Sequence, residues 1–238
     1  MIMANTTNIV LVHGAWGDGS HWRKIIPLLH EAGYNAVATQ HPLSSLADDA
    51  EHTRRLVSSL EGPVILVGHS YGGAVITQAA AACPNVTGLV YVAAFAPDED
   101  ENLGLLLART DAPKGAAALR PDSFGNLWID RNLFAECFSQ DCEPEESLVM
   151  AAAQKPTSHQ CFEDMPDAVA WKKLPTWYQV SENDNMIPPA TQRFFAERMG
   201  AQTISIPASH AVMVSHPQAI AELIMTAARA TATEPQPA

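Results

Sequence analysis

The segment Val64-Ile65-Leu66-Val67-Gly68-His69-Ser70-Tyr71-Gly72-Gly73 constrains this chain more than any other. Its first residues are a short apolar, largely β-branched run and read as a buried strand, 64–68. An alanine-rich stretch, 72–82, follows at once and reads as a helix. Between them stands Gly-x-Ser-x-Gly, the pattern of a strand that turns sharply into a helix. Small residues two before and two after the serine let the backbone close tightly while Ser70 Oγ projects above the sheet. The helix N-terminus places partial positive charge beneath that hydroxyl. A chain built around such a turn needs a parallel sheet flanked by helices, and Ser70 becomes a candidate nucleophile.

The rest of the chain supplies that sheet. Strand-like runs at 8–12, 34–39 and 88–92 alternate with helical patterns at 22–31 and 46–60, the rhythm of βαβ units. Several runs are apolar without alternation, as strands covered on both faces should be. The rhythm breaks after Pro97 and returns with strands at 175–180 and 202–206 and helices at 190–199 and 217–230. The expectation is an α/β fold of about six mostly parallel strands. Its core comprises residues 1–97 and 174–230, a mainly helical cap is inserted at 98–173, and a disordered tail occupies 231–238. An insertion of that length is far beyond an ordinary loop.

Composition narrows the function classes. With 47% hydrophobic residues the chain is too apolar to be disordered, and 238 residues suffice for a substantial core. A net charge of −12, without any run of Lys or Arg, disfavours nucleic acid. No uninterrupted apolar stretch reaches the ~18 residues of a membrane span, so no membrane partner is expected. Residues 1–8 carry no basic residue and no long apolar segment, so no secretory signal is expected. Four cysteines in a chain of this length suggest reduced thiols and a cytoplasmic setting.

A serine hydroxyl needs a base to remove its proton, and the base needs an orienting acid. The loop Ser181-Glu182-Asn183-Asp184-Asn185 follows a strand, so a carboxylate there sits on the same sheet edge as Ser70. Asp184 is the preferred acid and Glu182 the alternative. His210, in Pro207-Ala208-Ser209-His210, follows the last strand and completes the chain order Ser, Asp, His. His216 is expected at the start of the closing helix, facing away. After the first strand, His13-Gly14-Ala15-Trp16-Gly17-Asp18-Gly19 lets backbone N–H groups approach a substrate oxygen. A tetrahedral intermediate needs two donors, assigned to the N–H groups of Ala15 and Tyr71. Neither glycine cluster has the spacing of a phosphate loop.

With these residues in view, the chain resembles the α/β-hydrolases. It is most similar to the compact branch of plant methylesterases, hydroxynitrile lyases and bacterial pyrethroid-type carboxylesterases. The likeness runs from about Ile9 to Leu223 and is strongest around Leu11 to Trp22, Val67 to Ala74, Ser181 to Pro188 and Ser209 to Pro217. It implies Ser70 as nucleophile, His210 as base, Asp184 as acid, and Ala15 and Tyr71 at the oxyanion positions. The hydroxynitrile lyases of this branch carry a lysine after the histidine and a threonine in the first loop. Here Ala211 and Gly14-Ala15 stand instead, so cyanohydrin cleavage lacks its cation. Dehalogenases and epoxide hydrolases of the fold place aspartate at the turn, where this chain has Ser70.

The expected activity is hydrolysis of a small or medium apolar carboxylic ester through an acyl-enzyme, with no metal and no organic cofactor. Lactone, amide or carbon–carbon cleavage by the same groups, and a slow-turnover ligand-binding protein, are the alternatives. Trp16, Phe124, Trp128 and Phe138 are the candidate pocket aromatics, and a homodimer is left open. Cys137, Cys142, His159 and Cys161 could be drawn as a zinc set, but their spacing is looser than the paired C-x2-C of structural zinc, and unpaired thiols are the simpler reading.

Overall fold

The computed structural model describes residues 7–232. Strands β1 (Asn8–Val12), β2 (Asn35–Ala38), β3 (Val64–His69) and β4 (Val86–Val92) alternate with helices α1 (Ile25–Glu31), α2 (Leu46–Ser58) and α3 (Gly72–Ala79). The insertion contributes α4 (Leu103–Leu107), β5 (Leu119–Pro121), β6 (Asn126–Ile129), α5 (Phe134–Phe138), α6 (Pro144–Ala153), β7 (Thr157–Ser158) and α7 (Gln160–Glu163). The chain then returns through β8 (Thr176–Ser181), α8 (Pro189–Met199), β9 (Gln202–Ile206), α9 (Val212–Ser215) and α10 (Pro217–Thr231). No helix among the described residues is long and apolar enough to cross a membrane. The tail read as 231–238 lies outside the described residues except for Thr231 and Ala232.

The main sheet is parallel throughout, in the order β2-β1-β3-β4-β8-β9. Every residue of β1 and β3 is buried, which is why their sequences run apolar without alternation. β9 lies at the edge, and four of its five residues are at least partly exposed, matching its polar composition. All six strands run the same way, so their carboxyl ends share one rim. Ser70, Asp184 and His210 follow β3, β8 and β9 on that rim.

Two local differences from the sequence reading have physical causes. The helix expected over 22–31 begins at Ile25, after a 3₁₀ turn over Gly19–Trp22. Pro27 lacks an N–H and is tolerated only in a first turn, so the helix cannot run in from Trp22. The insertion, expected to be mainly helical, also carries a small antiparallel sheet, β5-β6-β7, turned by Gly125 at φ 83°.

Candidate active site

At the end of β3 the backbone makes the strained turn that the pattern demands. Ser70 has φ 55°, a left-handed conformation that costs an L-residue about 1–2 kcal/mol. The strain is held by neighbours: Ser70 N–H donates to Val92 O at 3.2 Å, and Ser70 O accepts from Gly73 and Phe95 N–H at 3.0 and 3.1 Å. The glycines are required by contact. A Cβ at Gly68 would lie 2.5 Å from Gly72 O, and one at Gly72 would lie 2.6 Å from Val12 O.

The loops that carry the candidate acid and base meet. His210 Nδ1 and Asp184 Oδ2 are 2.7 Å apart, with both side chains fully buried. Asp184 Oδ2 also accepts from Gln192 Nε2 at 2.8 Å, while Oδ1 accepts the N–H groups of Met186 and Ile187 at 2.7 and 2.9 Å. Gln192 is fixed in turn, since its Oε1 accepts Ser181 N–H at 2.9 Å. Glu182 instead pairs with Arg193 on the outside of the loop. His216 stands at the head of α10, bonded to Ser215 Oγ and away from Asp184.

An acceptor on Nδ1 places the imidazole proton there and leaves Nε2 as a free base. Nε2 has no hydrogen-bond partner among the described residues. The imidazole lies alongside the turn, because the ring of His69, the residue before Ser70, packs at 4.7 Å from the His210 ring, tilted by 50°, and bonds His210 O through Nε2 at 2.8 Å. Across the rim, Trp16 adopts φ 61° and is clamped by the insertion: its N–H donates to Thr157 Oγ1, its Nε1 to Leu127 O, and its O accepts from Lys155 N–H. Among the described residues, neither Ala15 N–H nor Tyr71 N–H donates to a backbone or side-chain acceptor.

Above Ser70 is a chamber of about 290 Å³. The core contributes Ala15, Trp16, Ser70, Phe95, Met186 and Ile187, and the insertion contributes the 107–119 wall with Ala108, Ala112 and Ala116, closed by Leu127 and Phe162. Among the described residues that line it, Ser70 and Thr110 carry the only hydroxyls, the Trp16 indole N–H is spent on Leu127 O, and none is charged. Of the four aromatics expected there, Trp16 alone takes part. Phe124 is 87% exposed at the β5–β6 turn. Trp128 is only half-buried and spends its Nε1–H on Asp122. Phe138 is fully buried but packs edge-on against His210, ring centroids 4.8 Å apart, outside the chamber wall. Phe95 and Phe162 take the places that sequence reasoning left empty. Phe95 could have been found, since it stands just past a strand end on the active rim.

Near the turn are also buried imidazoles that no salt bridge among the described residues compensates. Burial lowers His13 to about 3 and His21 to about 4, and pushes His41 and His69 well below the usual histidine range. An unfolded chain protonates these groups near pH 6.5, so the stability they contribute is complete above that pH and is lost as pH falls towards 4 and 3. His21 alone accounts for about 3 kcal/mol over that window. Asp49, raised by burial to about 6, acts in the opposite sense between about pH 4 and 6, but one carboxylate faces four imidazoles. The urea midpoint is therefore expected to fall steeply from pH 7 to pH 4; a constant midpoint would contradict neutral buried histidines.

Among the described residues no three His, Cys, Asp or Glu side chains gather into a metal site, and all four cysteines are free thiols.

Comparison with known proteins agrees with this fold. The model of the family described as "Alpha/beta hydrolase family" matches residues 9–223. A carbendazim hydrolyzing esterase of Nocardioides sp. is 30% identical, covering 90% of this chain and 97% of the relative. Salicylic acid-binding protein 2 of Nicotiana tabacum is 28% identical, covering 91% and 95%. The crystal structure of a pyrethroid hydrolase from Sphingobium faniae superimposes with a TM-score of 0.84 at 25% identity, covering 94% of this chain and 98% of that one.

Proposed function

The chain belongs to the alpha/beta hydrolase family, and from that premise we propose that it is a carboxylesterase-like serine hydrolase cleaving neutral apolar esters through an acyl-enzyme. The observation that carries this reading is the pair formed by buried Asp184 and His210, whose Nε2 has no partner among the described residues and whose ring packs against His69, next in the chain to a strained Ser70 that lines an uncharged chamber.

In this reading His210 Nε2 takes the Ser70 proton as Oγ attacks the ester carbonyl. The Nε2–Oγ hydrogen bond closes when substrate fills the chamber, as catalytic hydrogen bonds often do. The N–H groups of Ala15 and Tyr71 receive the oxyanion, each positioned before the charge develops. His210 returns its proton to the departing alcohol, and water repeats the sequence on the acyl-enzyme. Asp184 holds the tautomer throughout. The relatives named esterases and hydrolases support ester cleavage, and the chamber supports an apolar substrate, because a buried charge without a partner would cost several kcal/mol.

The test is a fluorophosphonate label read by intact mass and mapped by peptide, followed by a panel of esters, lactones and amides. One label on Ser70 with turnover of neutral esters is expected. Labelling without turnover of any ester would favour the ligand-binding alternative, and turnover confined to lactones or amides would move the bond. Ala116→Leu, which narrows the wall formed by 107–119, should lower kcat/KM for long acyl esters by about tenfold relative to acetate, the scale of one to two methylenes in a hydrophobic pocket. An unchanged length preference would remove that wall from the acyl site.

A further inference from the structure

His210 lies on a short loop, 207–211, that leaves the sheet after β9 and pairs with no strand. The two peptide N–H groups on either side of the histidine both reach the insertion, that of Ala211 being shared with Ser209 Oγ at 3.1 Å. Ser209 N–H donates to Asp141 Oδ2 at 2.9 Å, and Ala211 N–H donates to Phe138 O at 3.0 Å. The Phe138 ring, itself packed on Phe134 at 4.9 Å, stands against the imidazole. The same segment reaches the acid loop, where Gln140 donates through its side-chain amide to Asn183 O and Glu136 O accepts from Asn185 Nδ2 at 3.1 Å. Residues 136–141 therefore span both loops that bring Asp184 and His210 together.

We propose that Phe138 and Asp141 are positioning residues for His210, so that the insertion supplies the alignment of the base as well as the chamber wall. This rests on the esterase reading above. The physical need is plain. With Nε2 unpartnered, the imidazole has one side-chain hydrogen bond, to Asp184, and its direction otherwise depends on the backbone angles of 209–211 and on the rings beside it. The core contributes the His69 contact and backbone bonds at the two ends of the loop, Asn183 N–H to Ala208 O at 3.1 Å and Val214 N–H to Ala211 O at 2.9 Å. The insertion holds the two peptides that flank the histidine. Releasing either flanking N–H lets the loop relax, and a misplacement of ~1 Å at a reacting group can cost up to ~10²-fold in rate. Neither Phe138 nor Asp141 lines the chamber, so substrate binding should be spared.

The experiment compares Asp141→Ala, Asp141→Asn and Phe138→Leu with the wild-type protein and Ser70→Ala, measuring kcat, KM and thermal melting on one neutral ester. Asp141→Ala and Phe138→Leu are expected to lower kcat about tenfold with KM within about twofold. Asp141→Asn keeps an acceptor oxygen for Ser209 N–H and should recover kcat to within about threefold of wild type. Two results would overturn the proposal: a kcat for Asp141→Ala within about twofold of wild type in a cooperatively melting protein, or equal losses in the alanine and asparagine variants. Should Phe138→Leu fail to fold, the Asp141 pair decides. Survival of activity in Ser70→Ala would instead strike at the esterase reading itself.

Discussion

Alanine in place of Ser70 is expected to lower turnover by about 10³-fold or more while leaving the melting transition close to wild type. The variant removes one oxygen but keeps the Cβ, so the left-handed backbone at φ 55° and its hydrogen bonds to Val92, Gly73 and Phe95 persist with their strain. Glycine at the same position should separate function from stability. It removes the nucleophile and also relieves about 1–2 kcal/mol of left-handed strain, part of which is offset by a freer unfolded chain. Ser70→Gly is thus expected to be inactive and to melt slightly higher than Ser70→Ala. Ester hydrolysis and calorimetry on the two variants check both halves. Near-normal turnover in either would dismiss Ser70 as nucleophile, and a lower melting point for glycine would show that the turn stores no strain.

Asp184→Asn should be nearly as damaging, for a reason visible in the hydrogen bonds. Each carboxylate oxygen accepts two donors: Oδ1 from Met186 and Ile187 N–H, Oδ2 from Gln192 and His210. Either orientation of an asparagine amide turns its NH₂ towards a pair of donors. If it faces His210, the imidazole proton moves to Nε2 and the ring can no longer accept from Ser70. If it faces the backbone, the loop carrying residue 184 must open. A fall in kcat of about 10³- to 10⁴-fold is expected, with some loss of stability. Glu182→Gln breaks only a surface pair with Arg193 and should leave kcat within about twofold. Greater damage from the glutamine variant would transfer the acid's role to Glu182.

Much of the architecture is legible in the chain because it obeys short-range rules. Doubly covered strands must be apolar without interruption, and β1 and β3 are buried from end to end. Gly-x-Ser-x-Gly needs glycine where Gly68 and Gly72 approach backbone oxygens. The order Ser, Asp, His follows from successive strands ending on one rim. The small sheet of the insertion is harder to read, since β7 has only two residues and pairs with β6 across α5 and α6. Its local signals were Gly125 and the apolar run in β6.

Aromatic residues in the insertion illustrate the limit. Phe124, Trp128 and Phe138 are equivalent as composition, yet one faces solvent, one bonds Asp122, and one packs on His210. Nothing within a few residues of each dictates that outcome. The sequence by itself determined the parallel sheet, the strained serine turn and the two loops that could supply an acid and a base, because strand burial and turn sterics act between neighbours in the chain. Only the tertiary structure decided that Asp184 and not Glu182 meets His210, that Phe95 and Phe162 line the chamber, and that the insertion holds the loop of His210. Those outcomes depend on contacts between residues distant in sequence, such as Phe138 O with Ala211 N–H, whose partners are chosen by packing and not by local preference.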